Sequence, residues 1–135
     1  MEGVLGISFP EGVIGIALSC RNMREVVENK ELAKLGDALL GLLNVVGMEA
    51  GYLRNSSKVT NEMLRRVSIR TGLRTLLPKR VGKRDLGNAV EAAVAYWLVV
   101  GDLSWSGIVQ EFKNGRGLED ALSAEIGRID GAIVP

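Results

Sequence analysis

Two segments about fifty residues apart carry the same uncommon pattern, and together they dictate a helical fold. In Glu28–Leu43, ENKELAKLGDALLGLL, the residues Leu32, Leu35, Leu39 and Leu42, continued by Val46, recur at three- and four-residue steps. That is the apolar stripe of a helix. The opposite side, Ala33, Asp37, Gly41 and Asn44, is small and carries one carboxylate, so another helix can approach its backbone. In RDLGNAVEAAVAYWLVV, residues 84–100, Leu86, Val90, Ala93, Val94, Trp97 and Leu98 make the stripe, and Asn88, Glu91, Ala92 and Ala95 a second small face around one acid. Two such helices fit against each other with Asp37 and Glu91 adjacent. Carboxylates held that close repel unless one is protonated or a divalent cation lies between them. The plainer alternative leaves each acid on an ordinary amphipathic helix.

The rest of the chain also reads as helical. In residues 1–20, Gly3, Gly6, Gly12 and Gly15 interrupt any long helix and Pro10 turns the chain, which predicts a glycine-rich arm or a short helix. A long helix is expected from about Asn22 to Val46, closed by Gly47 as C-cap, then a short piece over 48–53 and a loop at Asn55–Ser57. Thr60 is an N-cap for a helix to about Arg70, stopped by Gly72. The second patterned helix starts near Lys83 or Asp85 and ends at Gly101. Ser104 opens a helix to about Lys113, residues 114–117 turn, and a last helix covers 118–129 before an apolar AIVP tail. No repeat is present and no strand is expected. The expectation is an all-α bundle forming one domain over residues 1–135.

Charge is distributed unevenly. From Arg54 to Arg84 there are ten Lys and Arg and one acid, Glu62, a net +9; the remaining residues carry seven bases and fifteen acids, a net −8. A basic middle between acidic flanks is the footprint of a polyanion-binding surface, and with a single acid inside it the run gains little from local ion pairs. Lys58, Arg65, Arg66, Arg70, Arg74, Lys79, Arg80, Lys83 and Arg84 are the candidate phosphate contacts. The plainer alternative is a solvated helix face.

Several chemistries are excluded outright. The chain has no histidine and one cysteine, Cys20, which removes Ser-His-Asp and Cys-His catalysis, an internal disulfide and the usual zinc sites. Any catalysis must rest on carboxylates, lysine, tyrosine or a metal held by oxygen, which favours Mg²⁺ or Mn²⁺. The longest apolar run, Ala92–Val100, is nine residues, well short of the ~20 of a membrane span. The apolar N-terminus has no basic residue before Arg21, so it does not read as a signal peptide; the expected location is the cytoplasm.

The string LAKLGDALL, Leu32–Leu40, resembles the ribonuclease III signature, usually LEFLGDAVL, and LGNAVEAAVAY, Leu86–Tyr96, resembles that family's second motif, usually GDxxEAxxGA. The chain is most similar to short, single-domain members, the archaeal ribonuclease III-like proteins and Mini-III, which lack a separate double-stranded-RNA-binding domain. The resemblance implies an all-α endonuclease-type domain acting as a homodimer on double-stranded RNA. It also implies Mg²⁺ held by four carboxylates, two from each motif helix. Carried over by position, Asp37 matches the signature aspartate and Glu91 the glutamate of the second motif, the two catalytic candidates. The signature glutamate is replaced by Ala33, and the second-motif aspartate by Asn88. Asn88 keeps one carbonyl oxygen as a metal donor. Glu31 adds an acid, but six residues from Asp37 it lies about 120° round the helix, while Asp85 stands one turn before Asn88.

Two readings follow. In one, a ribonuclease III-like protein binds structured RNA, such as ribosomal RNA, with little or no cleavage and no required metal; family members of that kind occur as structural proteins of mitochondrial large ribosomal subunits. In the other, it is an active Mg²⁺-dependent endoribonuclease of Mini-III type.

Overall fold

A computed structural model describes residues 9–54, 58–129, 131 and 133. Among them there are seven α-helices, one 3-10 turn and no strand, as expected for an all-α bundle. The helices are α1 (Glu11–Ser19), α2 (Met23–Glu28), α3 (Lys30–Glu49), α4 (Asn61–Thr71), α5 (Lys83–Val100), α6 (Trp105–Lys113) and α7 (Leu118–Gly127), with the 3-10 turn at Leu73–Leu76. The glycine-rich start thus contains a helix, α1, despite Gly12 and Gly15; the first part of the expected arm and the Asn55–Ser57 loop lie outside the described residues. From the AIVP tail, Ile133 packs against the core.

The centre of the bundle is α5. Twelve of its eighteen residues are buried, Ala89 to Ala95 without a break. The small side chains Ala89, Ala92, Ala93 and Ala95 let neighbours approach from several directions. α3 packs on it most extensively, then α4, α2 and α1, while α7 bridges α4 and α6. Local signals set the ends. Gly101 adopts φ 91°, a left-handed conformation open to glycine at little cost, and the Gly101 and Leu103 amides donate to the Trp97 carbonyl. The Thr60 and Ser104 hydroxyls accept from the Met63 and Gly107 amides at 3.1 and 2.9 Å.

The first long helix differs from expectation in three ways. It is broken at Asn29, which ends α2 and caps α3, its side chain accepting from the Leu32 amide at 2.9 Å. Asn29→Ala should therefore lower stability by about 1 kcal/mol, read as a melting temperature lower by roughly 3–5 °C. Second, α3 continues through Gly47 to Glu49. Gly47 is buried, and a Cβ there would meet Leu53 Cδ1 at 2.5 Å and Phe112 Cε2 at 3.2 Å; it is a packing residue rather than a cap. Third, the buried stripe is Leu32, Gly36, Leu39, Leu40, Leu43, Asn44 and Gly47, whereas Leu42 is 41% exposed. The helix is rotated toward its glycine side, because that is where α5 comes closest.

Elsewhere, Glu111 is buried on α6, and Arg116 and Arg128 close on it at 3.1 and 2.9 Å. This links α6 to the end of α7. No single helix among the described residues is long and apolar enough to cross a membrane.

Candidate functional site

The crossing of α3 and α5 makes the site. A Cβ on Gly36 would overlap the carbonyl oxygen and carbon of Glu91 and come within 2.9 Å of its Cα. The backbones therefore touch at Gly36 and Glu91, which brings the next residue of α3, Asp37, beside the Glu91 side chain. Glu91 is 7% exposed. Burial, the neighbouring Asp37 charge and a hydrogen bond with Asp37 push its carboxyl up to about 7. A hydrogen bond between two carboxyl groups needs one proton, so the buried Glu91 donates and Asp37, exposed on the rim, accepts.

The pair opens into a cleft of about 830 Å³. α3 supplies Lys30, Ala33, Lys34 and Asp37, α5 supplies Arg84, Asp85, Asn88 and Glu91, α4 supplies Asn61, and the 77–82 segment supplies Leu77, Pro78, Arg80 and Val81. Asn61 has room because residue 87 is glycine: a Cβ there would meet Asn61 Oδ1 at 2.7 Å. Of the metal-ligand candidates, Asp37, Asn88 and Glu91 share the cleft. Glu31 is exposed and does not line it, as its angle round the helix implied. Among the described residues no group of three or more His, Cys, Asp or Glu is placed to hold a metal ion. Two carboxylates and the Asn88 amide oxygen are hard donors suited to Mg²⁺ or Mn²⁺. The set fits such an ion by chemistry but brings it less charge than a four-acid site.

The basic run is divided by the fold. On α4, Arg65 pairs with Glu62 at 2.8 Å, Arg66 with Glu119 at 2.8 Å, and Arg70 with Asp120 at 2.7 Å and Glu119 at 3.2 Å. Lys83 reaches Glu62 at 2.9 Å, and the bonds from Arg65 and Lys83 hold the Glu62 carboxyl down at about 2. The acids missing from the run thus arrive from α7. Arg74 turns inward onto main-chain carbonyls. Lys58 lies at a separate hollow of about 360 Å³ beside Asn44 and Thr60. Lys79, Arg80 and Arg84 are exposed and enter no ion pair with a described residue, as do Lys30 and Lys34 on the far lip. Lys30 and Lys34 were absent from the sequence candidates, although their seven- and three-residue steps to Asp37 put all three on one side of the helix.

A family model described as Ribonuclease III matches residues 30–134. No curated protein and no solved structure matches the chain.

Proposed function

Because the chain belongs to the ribonuclease III family, we propose that it binds structured, double-stranded RNA across the α3–α5 cleft and cleaves it little or not at all. The observation that carries this reading is the company that Asp37 and Glu91 keep. The positions matching the family's other two acids, Ala33 and Asn88, line the same cleft, so the cation field is halved while the cleft itself persists. The cations at its lips that pair with no described residue, Lys30, Lys34, Arg80 and Arg84, supply phosphate contacts, the sequence-independent part of nucleic-acid affinity. A-form RNA offers mainly phosphates, 2′-hydroxyls and shape, so little base preference is expected.

Family members use Mg²⁺, and here Asp37 and Glu91, helped by the Asn88 oxygen, would hold it. When bound, such an ion activates water and stabilises charge during in-line displacement at phosphorus. The chain's own residues orient the RNA: the lip cations fix phosphates, and the buried Glu91 must release its proton before its carboxylate can serve as a ligand.

The test is incubation of a structured RNA with Mg²⁺ or Mn²⁺, using the wild type, Asp37→Asn and Asn88→Asp. Cleavage appearing only in Asn88→Asp would establish a site disabled by one residue. Wild-type cleavage lost in Asp37→Asn would establish the second reading, an active endoribonuclease of Mini-III type, which the intact Asp37–Glu91 contact and the nearby Asp85 support.

The same reading takes the chain as one domain, cytoplasmic, close to the short archaeal-like members, with ribosomal RNA as a fitting target. It includes a homodimer, for which the exposed Leu42 and Val45 on the outer face of α3 supply apolar surface.

A further inference from the structure

We propose that Arg74 is a positioning residue: it shapes the 77–82 segment so that Arg80 stands at the cleft, and it does not itself touch RNA. The inference rests on the RNA-binding reading above and assigns Arg74 a different part in it from the phosphate contact expected from sequence.

Arg74 grows from the 3-10 turn, whose first and last residues, Leu73 and Leu76, are buried, so its root is fixed in the core. Its guanidinium donates to three successive carbonyls: Nη1 to Leu77 at 3.4 Å and to Pro78 at 2.8 Å, and Nη2 to Lys79 at 2.6 Å. The segment that follows has no regular structure. The Leu77 amide bonds to the Arg74 carbonyl, and the Gly82 carbonyl accepts from Leu86. Between those two points, among the described residues, the main chain is otherwise held only by the Arg74 fork.

That segment is one wall of the cleft: Leu77, Pro78, Arg80 and Val81 line it, and Arg74 does not. Its charge is directed inward, at carbonyl dipoles. A planar guanidinium presents several donors in fixed directions and spans adjacent carbonyls, which a lysine ammonium at one point does not. Lysine at position 74 therefore keeps the charge and loses the geometry. A direct phosphate contact would behave the other way, since lysine also binds phosphate.

The test uses the full chain and a fully paired RNA hairpin, comparing wild type, Arg80→Ala, Arg74→Lys and the double variant. Affinity is measured across a salt series, and amide hydrogen exchange over residues 77–82. Arg80→Ala should weaken binding roughly five- to tenfold at about 0.1 M salt and lower the log–log salt slope by about one. Arg74→Lys should reproduce most of that loss, and the double variant should be no weaker than Arg80→Ala. Exchange over 77–82 should quicken in Arg74→Lys while α3 and α5 keep their protection. If Arg74→Lys binds like wild type, if the two losses multiply, or if exchange over the segment is unchanged, the proposal fails while the RNA reading stands. If the wild type does not bind the hairpin even at low salt, the RNA reading fails and carries the proposal with it.

Discussion

Gly36→Ala should cost about 3 kcal/mol or more and lower the melting temperature by at least roughly 10 °C. The added methyl has nowhere to go, because it would occupy the Glu91 peptide, which is main chain in the middle of α5. A side chain in its way could change rotamer; a helix backbone cannot, so α3 and α5 must separate. Their contact is the largest in the bundle, and separating it also opens voids around Leu32, Leu40 and Leu43, each about 1% exposed. Gly41→Ala is the control. It lies on the same helix with nothing within 4 Å of the added Cβ, and alanine favours helix by up to about 1 kcal/mol over glycine. Its melting temperature should hold or rise. Equal losses in the two variants would show that the crossing is not where the backbones touch.

The second large effect is a loss of stability as pH rises from about 5 to 8. Glu91 holds its proton to about 7 in the folded chain, against an ordinary value of 4.5. Below 4.5 both folded and unfolded states are protonated and nothing is lost. Between 4.5 and 7 the folded state binds the extra proton, so each step up in pH favours unfolding, to a total on the order of 3 kcal/mol. Few other side chains confuse this window. The chain has no histidine, the Cys20 thiol is raised above its usual value, and Glu62, held low by its cations, loses its contribution only in acid as pH falls toward 2. The wild type should melt about 10 °C lower at pH 8 than at pH 5. Glu91→Gln, an uncharged amide that still donates to Asp37, should flatten the curve. Millimolar Mg²⁺ at pH 8 should raise the wild-type melting temperature, through binding to the folded state alone, and leave Glu91→Gln unmoved. A wild-type curve without slope between pH 5 and 8 would remove the close carboxylate pair.

What could be read before the structure was local or doubly signalled. Thr60 and Ser104 open helices through their side-chain hydroxyls, Gly72 and Gly101 close them through a left-handed backbone, and those boundaries stand within a residue or so. Asp37 and Glu91 do meet, but the small face read on α3 is not what closes: the backbones touch at Gly36, and Gly41, expected to admit a neighbour, has nothing within 4 Å of an added Cβ. The misread positions depend on distant partners. Gly47 looks like a terminator until Phe112, sixty-five residues later, fills the space beside it. Leu42 looks like core because it keeps phase with Leu32 and Leu39, but the stripe turns toward Gly36. Arg66 and Arg70 look like free charge because the acids that neutralise them, Glu119 and Asp120, lie about fifty positions downstream. Asn29 carries a capping side chain inside what reads as a single helix from Asn22 to Val46, and the break there depends on how α2 and α3 pack.

The glycine-to-peptide contact at the helix crossing has one more consequence. It sets the two acids side by side by main-chain shape. Side chains at the neighbouring positions 33 and 88 can therefore change charge while the crossing itself keeps its shape. A single substitution at position 88, asparagine to aspartate, therefore changes the charge of the cleft without touching the contact on which the helix crossing is built.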